Sequence, residues 1–147
     1  MSDQSHSFEI LLVEDNPGDV FLTQEAFREG AFTHHISVAE DGVEAIRFLR
    51  REGRYKNAPV PDLILLDLNL PRKDGRELLA EVKNDPALQH IPIIVLTTSR
   101  ADQDVTRAYR LHANCYLTKP IQMDSFLSMI RSVEDFWLNI VRLPARN

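Results

Sequence analysis

A continuous apolar run, Leu63-Ile64-Leu65-Leu66, ends in the carboxylate of Asp67. A short apolar run bounded by turn residues is typical of a strand buried on both faces of a parallel sheet. A carboxylate at the end of such a strand needs a metal, a cation or hydrogen bonds, because burying it without them is costly. Taken alone, Asp67 fits better as the start of a polar loop. The other strand ends therefore decide between a loop and a site.

Three further apolar runs also end in charged or hydroxyl side chains. They are residues 8–13, which precede Glu14-Asp15, residues 93–96, which precede Thr97, and residues 115–117, which precede Thr118-Lys119-Pro120. Taken one at a time, these residues suggest a helix cap, a strand end and a turn. The carboxyl ends of parallel strands share one edge of a sheet, and ligands bind there. The coincidence at four strand ends favours one common pocket.

Helix signals alternate with these strands along the chain. Asn16-Pro17, Asp41-Gly42 and Asp74-Gly75 are helix starts, and two more helices begin at Asp102 and near Met123. An alternating piece around Ile36 and Val38 indicates an edge strand. Five strands alternating with five helices predict an α/β fold of the flavodoxin-like (βα)5 type, a doubly wound parallel sheet with strand order 2-1-3-4-5.

Length and charge restrict the class of protein. The 147 residues are enough for one domain with a single core. A net charge of −5 without a basic cluster argues against nucleic-acid binding. There is no apolar run of membrane-spanning length and no signal-peptide pattern, so we expect a cytoplasmic protein. The single cysteine, Cys115, lies in an apolar strand, and the histidines show no metal-ligand spacing.

The predicted pocket contains the groups needed for phosphoryl transfer. Glu14, Asp15 and Asp67 would place three carboxylates on adjacent central strands, where they repel one another unless a cation joins them. A ligand set made only of oxygen points to a hard ion such as Mg²⁺. Lys119 adds a positive charge suited to a phosphoryl group, and Thr97 adds a hydroxyl.

These residues, in this order and spacing, resemble the receiver domain of two-component response regulators. The motifs are Glu14-Asp15, Asp67-Leu68-Asn69-Leu70-Pro71, Asp74-Gly75, Thr97 and Lys119-Pro120. The resemblance covers roughly residues 8–135 and implies one receiver domain in residues 1–147, with a C-terminal helical extension and tail over 136–147. It implies a signalling protein rather than an enzyme, one that assists its own phosphorylation and dephosphorylation.

The resemblance also implies a role for each matching residue. Asp67 would accept a phosphoryl group from a histidine kinase, and Lys119 would contact that group. Asp15, Asp67 and the backbone carbonyl of Asn69 would bind Mg²⁺ directly, with Glu14 acting through a coordinated water. Thr97 and Tyr116 would form a switch pair that shifts the face made by the fourth helix, fifth strand and fifth helix. Signalling would then run through protein contacts with an unknown downstream protein.

A narrower resemblance is to the small response regulators paired with cyanobacterial phytochrome kinases. It rests on residues 65–71, 96–99 and 114–119 and on the Phe136-Trp137 tail. One departure from the broad receiver pattern is Thr98, where many relatives carry Ala or Gly. This larger side chain would narrow access to Asp67. Only about a dozen residues follow residue 135, so we expect no DNA-binding output domain.

Three other functions remain open from the residues alone. An aspartyl-phosphate hydrolase of the haloacid-dehalogenase type also uses an Asp at a strand end, but it needs an acid two residues later, where this chain has Asn69. A flavin carrier would need a Ser/Thr/Gly-rich loop after the first strand, where this chain is acidic. A structural module with an inactive site is disfavoured because every chemical position is filled.

The end of the chain suggests a surface for self-association. Apolar residues at helical spacing continue beyond the point where a receiver's fifth helix ends. The residues expected at this interface are Phe136, Trp137, Ile140, Val141 and Leu143. Such a patch is usually an interaction site, and twofold pairing is the commonest arrangement, so we expect a homodimer. The alternative is that the tail folds back over its own domain.

Overall fold

A computed structural model describes residues 8–28, 34–68, 70, 75–97, 115–119 and 124. Five strands form one parallel sheet in the order β2-β1-β3-β4-β5. The strands are β1 (Phe8–Val13), β2 (His34–Ala39), β3 (Leu63–Asp67), β4 (Ile93–Thr97) and β5 (Cys115–Thr118). The predicted parallel sheet and its strand order are confirmed.

Three helices are described between these strands. They are α1 (Pro17–Arg28), α2 (Gly42–Leu49) and α3 (Gly75–Lys83). The predicted fourth and fifth helices lie outside the described residues, apart from Asp124, which is helical. None of the described helices is long and apolar enough to cross a membrane.

The predicted helix starts are confirmed where the structure describes them. Pro17 is the first residue of α1, and the side chain of Asn16 accepts a hydrogen bond from the backbone N–H of Asp19 at 3.0 Å. Asp41 caps α2 by accepting a 2.8 Å hydrogen bond from the N–H of Glu44. Beyond α2, the chain forms a 3₁₀ turn at Gly53–Tyr55. The Tyr55 hydroxyl ties this turn to α2 by donating to Glu44 at 2.6 Å.

Alternate residues of the central strands face two different apolar layers. Ile10, Leu12, Leu63 and Leu65 pack with Phe27 of α1. The strand residues between them, Leu11, Val13, Ile64 and Leu66, pack on the opposite face of the sheet with Ala45 of α2 and Leu78 of α3. Because both faces are covered, the central strands carry consecutive buried apolar residues, at 10–13 in β1 and 63–66 in β3, as buried parallel strands require.

The alternation continues into the first polar residues after the strands. Glu14 follows Ile10 and Leu12 at intervals of two, and Asp67 follows Leu63 and Leu65 in the same way. The alternation thus directs both carboxylates to the α1 side of the sheet. Since β1 and β3 are neighbours in parallel register, the two strand ends lie side by side.

The start of α3 lies directly against the chain that leaves β3. Gly75 donates its N–H to the carbonyl of Leu68 at 3.1 Å. A Cβ added at Gly75 would lie 2.6 Å from the carbonyl oxygen of Asp67 and 2.6 Å from Cα of Leu68. Both neighbours are backbone atoms, so a side chain here would force α3 and the end of β3 apart.

We therefore expect Gly75→Ala to lower the free energy of unfolding by about 1–3 kcal/mol, the usual range for overpacking a tight contact. Gly18→Ala is the matched control, since its Cβ would meet a side-chain oxygen, that of Asn16, at 3.2 Å. Urea denaturation of both variants measures the difference. Equal stability of the two variants would contradict a close contact at Gly75.

Candidate functional site

Three carboxylates meet at the C-terminal edge of the sheet. One oxygen from each of Glu14, Asp15 and Asp67 lies within 4.8 Å of the other two. Glu14 and Asp67 are buried, with 1% and 4% of their surfaces exposed, whereas Asp15 is exposed. The cluster thus has a buried floor and one side chain open to solvent.

Lys119, directly after β5, provides a positive charge within this cluster. Its Nζ lies 2.8 Å from Asp19, 2.9 Å from Glu14 and 3.2 Å from Asp67. The three N–H groups of the ammonium can each donate to one of these carboxylates. Lys119 therefore joins the ends of β1 and β3 to the first turn of α1.

Burial and neighbouring charges change the proton affinity of two groups in the site. Burial raises the pKa of Glu14 to about 7; the hydrogen bond from Lys119 opposes this rise, and Asp67 adds to it. Burial alone would lower the pKa of Lys119, but its contacts with Asp19 and Glu14 and the charge of Asp67 outweigh burial and raise it. Lys119 therefore stays protonated, and Glu14, Asp19 and Asp67 share its one positive charge.

The donor set fits a divalent metal ion. In the described part of the chain the cluster holds three carboxylates and no histidine or cysteine. Such a set suits a hard cation such as Mg²⁺, which commonly takes one or two carboxylates together with waters and a phosphate. Burial first, and the neighbouring Asp67 second, raise the pKa of Glu14, and a bound cation would oppose both by stabilising the ionised carboxylate. Asp15 is the exposed member of the cluster, so an ion from solvent can reach the cluster on its side.

The structure brings together some of the residues predicted for the site. Glu14, Asp15, Asp67 and Lys119 converge as expected. Asn69 lies outside the described residues, as does Thr98. For Thr97 and Tyr116 the backbone is described but the side chains are not, so their roles stay predictions.

Asp19 is the contact of Lys119 that the sequence did not predict. It lies in the first turn of α1, where acidic residues are common because they interact favourably with the helix dipole. The helix dipole alone therefore explains an acidic residue at this position. The residue that Asp19 contacts, Lys119, lies 100 positions further along the chain. The sequence carries no separate signal for this contact.

The architecture and the acidic edge together define the class of protein. Residues 10–131 match the response regulator receiver domain, and the chain belongs to that family. This confirms the resemblance to the receiver domains of two-component systems.

Particular relatives narrow the similarity. The chain is 49% identical over 146 residues to the response regulator Rcp1 of Synechocystis sp., and the match covers 99% of both chains. The crystal structure of the phosphorylated cyanobacterial phytochrome response regulator RcpA has a TM-score of 0.75 at 49% identity, covering 90% of this chain and 95% of that one. The Mn²⁺-bound form of Rcp1 has a TM-score of 0.73 at 50% identity, covering 93% and 99%.

We expect Asp15→Asn to weaken divalent-metal binding, since it removes a charged oxygen from the cluster. A ligand present at tenfold its Kd adds about 1.4 kcal/mol to the free energy of unfolding. Mg²⁺ at that level should therefore raise the Tm of the wild type and raise that of Asp15→Asn by less. Glu25→Gln, which removes an exposed acid of α1 that pairs with Arg28, is the control and should respond as the wild type does. An equal Mg²⁺ response in Asp15→Asn would move the metal site elsewhere.

Proposed function

We propose that this chain is a response regulator that accepts a phosphoryl group on Asp67 from a histidine kinase and signals through protein contacts. The observation that supports this most is the position of Asp67. It is a buried carboxylate at the end of a central strand, 3.2 Å from an ammonium and within 4.8 Å of two further carboxylates. An anionic nucleophile beside a cation and a metal-binding acid pair is the arrangement that phosphoryl transfer needs.

The transfer uses the groups of this pocket in separate roles. A carboxylate oxygen of Asp67 attacks phosphorus and forms an O–P bond. The P–N bond of the kinase phosphohistidine breaks, and its electron pair returns to the imidazole nitrogen, which takes a proton from solvent. Lys119 stabilises the charge on the phosphoryl oxygens. When bound, Mg²⁺ supplies further positive charge toward those oxygens, and Glu14, Asp15 and Asp67 would hold it, with the carbonyl of Asn69.

Thr97 and Tyr116 are proposed to report phosphorylation to the protein surface. They lie on the neighbouring strands β4 and β5, where Thr97 pairs with Thr118 and Tyr116 with Val95. In the proposed switch, the Thr97 hydroxyl donates to a phosphoryl oxygen and the Tyr116 ring moves inward. The response is a population shift of the face made by the fourth helix, β5 and the fifth helix.

The proposed kinase is a phytochrome of the cyanobacterial type. The support is the 49% identity to RcpA, a cyanobacterial phytochrome response regulator, over nine-tenths of this chain. The downstream partner is proposed to be a protein recognised through the phosphorylated face. The proposed activity is signalling, since a phosphoacceptor that assists its own phosphorylation is consumed and regenerated rather than turning over an external substrate.

Asp67→Asn should abolish uptake of hydroxylamine-sensitive phosphate from acetyl phosphate and Mg²⁺, because the amide is a far weaker nucleophile than the carboxylate of the same shape. Removing Mg²⁺ with EDTA should have the same effect in the wild type. Asp15→Asn is the matched control, since it keeps the nucleophile and should recover phosphate uptake as Mg²⁺ is raised. Phosphate retained at a single site in Asp67→Asn would reject Asp67 as the acceptor.

The proposed homodimer remains a prediction from the sequence. Its interface residues, Phe136, Trp137, Ile140, Val141 and Leu143, lie outside the described residues. Sedimentation of the intact chain should show a dimer at tens of micromolar, and truncation after Asp135 should yield a monomer, because the apolar patch is removed. A monomeric intact chain in both phosphorylation states would favour a tail that folds back over its own domain.

A further inference from the structure

The ammonium of Lys119 is shared among three carboxylates that differ in burial. The side chain of Glu14 is fully buried and that of Asp67 is 6% exposed, whereas that of Asp19 is 33% exposed. Asp19 nevertheless makes the shortest contact, at 2.8 Å against 3.2 Å for Asp67. Of these three partners, Asp19 is also the one outside the Glu14-Asp15-Asp67 cluster. Its contact with Lys119 can therefore be changed without removing a candidate metal ligand.

We propose that Asp19 is a positioning residue that competes with the phosphoryl group for Lys119 and so limits the rate and extent of Asp67 phosphorylation. This inference rests on the proposed function. It assigns to the first turn of α1 a role in the chemistry at the end of β3. Asp19 acts through Lys119 and is not itself a ligand of the phosphoryl group.

Charge explains why one of the Lys119 contacts has to change. With acetyl phosphate as donor, an oxygen of Asp67 forms a bond to phosphorus while the bond from phosphorus to the acetyl oxygen breaks. Acetate leaves with the electron pair of that bond. The acceptor carboxylate, with one negative charge, is replaced by a phosphoryl group with roughly two. Lys119 has three N–H donors, which go to Glu14, Asp19 and Asp67. The N–H now on Asp67 can pass to one phosphoryl oxygen, but a second phosphoryl oxygen is reached only if Lys119 releases Glu14 or Asp19.

Burial explains why Asp19 is the contact given up. A released carboxylate must be solvated, because leaving it buried without a partner is costly. Water can reach Asp19, which is one-third exposed, but it cannot reach the side chain of Glu14. Glu14 also belongs to the candidate metal cluster, which gives it a second source of positive charge. Releasing Asp19 is therefore the least costly way to free Lys119.

The fold keeps Asp19 within reach of Lys119. The side chain of Asn16 accepts the N–H of Asp19 at 3.0 Å, and Pro17 fixes the backbone of the first helical residue. These two residues set where the first turn of α1 begins. Asp19 therefore stands as a fixed competitor, and the Lys119 side chain is the part that moves.

The test compares Asp19→Asn with Glu25→Gln, which removes the same charge from the same helix at an exposed pair with Arg28. The second-order rate of phosphorylation by acetyl phosphate and the rate of phosphate loss are measured at fixed Mg²⁺. Asp19→Asn should be phosphorylated roughly two- to fivefold faster and lose phosphate more slowly, a change of the size expected from one partly exposed ion pair. Glu25→Gln should match the wild type. Asp19→Glu, which keeps the charge, should return the rate toward the wild-type value.

Two readouts separate positioning from a purely structural role or a general charge effect. A structural role would make Asp19→Asn less stable in urea without making it react faster, and that result would overturn the inference. In a Lys119→Ala background, Asp19→Asn should change the rate no more than Glu25→Gln does. An undiminished acceleration there would show that Asp19 acts through its field and not through Lys119, which also overturns it.

The inference and the proposed function fail in different ways. If the wild type takes up no phosphate from acetyl phosphate and Mg²⁺, the proposed function is wrong and this inference falls with it. If the wild type is phosphorylated on Asp67 and Asp19→Asn reacts at the same rate or more slowly, this inference alone is wrong.

Discussion

The contact between the Lys119 ammonium and the carboxylates at the ends of β1 and β3 is the interaction on which the site depends. Glu14 and Asp67 lie where water is nearly excluded, and ionised groups there need an opposite charge. Lys119 supplies one positive charge to Glu14, Asp19 and Asp67, and Asp15 adds a fourth carboxylate beside them. Burial is the main cause of the rise in the pKa of Glu14 to about 7, and the neighbouring Asp67 adds to it. An edge with this excess of negative charge favours a divalent cation before any substrate arrives.

The sheet determines which residues share that edge. Side chains alternate across a strand, so residues 10, 12 and 14 point to one face, and residues 63, 65 and 67 do the same on the neighbouring strand. A one-residue slip of β3 against β1 would turn Asp67 toward α2 and α3. It would also move the apolar residues of β3 from the face on which they now pack to the opposite face of the sheet. Packing against Phe27 on one face and Leu78 on the other therefore fixes the register of the acids as firmly as that of the core.

The sequence was sufficient for the features that depend on local pattern. The four apolar runs gave β1, β3, β4 and β5, and the caps at Asn16 and Asp41 gave two helix starts. The convergence of Glu14, Asp15, Asp67 and Lys119 followed from parallel topology. The pairing of Asp19 with Lys119 could not be predicted, because an acid in a first helical turn already has a local explanation. The close packing of Gly75, where an added Cβ would lie 2.6 Å from the carbonyl oxygen of Asp67, could not be predicted for a similar reason. A glycine after Asp74 is already expected in a turn.

The acidic edge is better explained by chemistry than by stability. Replacing a buried group of charges by well-packed apolar residues is often neutral or stabilising by about 1–4 kcal/mol, because apolar side chains avoid the cost of desolvation. The described core has well-packed apolar residues immediately before each charge, at Val13 and Leu66, so the strands do not need Glu14 or Asp67 in order to form. Removing Lys119 alone would leave buried acids without their cation, which is the costly case. The fold therefore carries these charges at a cost in stability, which the proposed phosphoryl transfer would explain because it needs a nucleophile, an acid pair and a cation in one place.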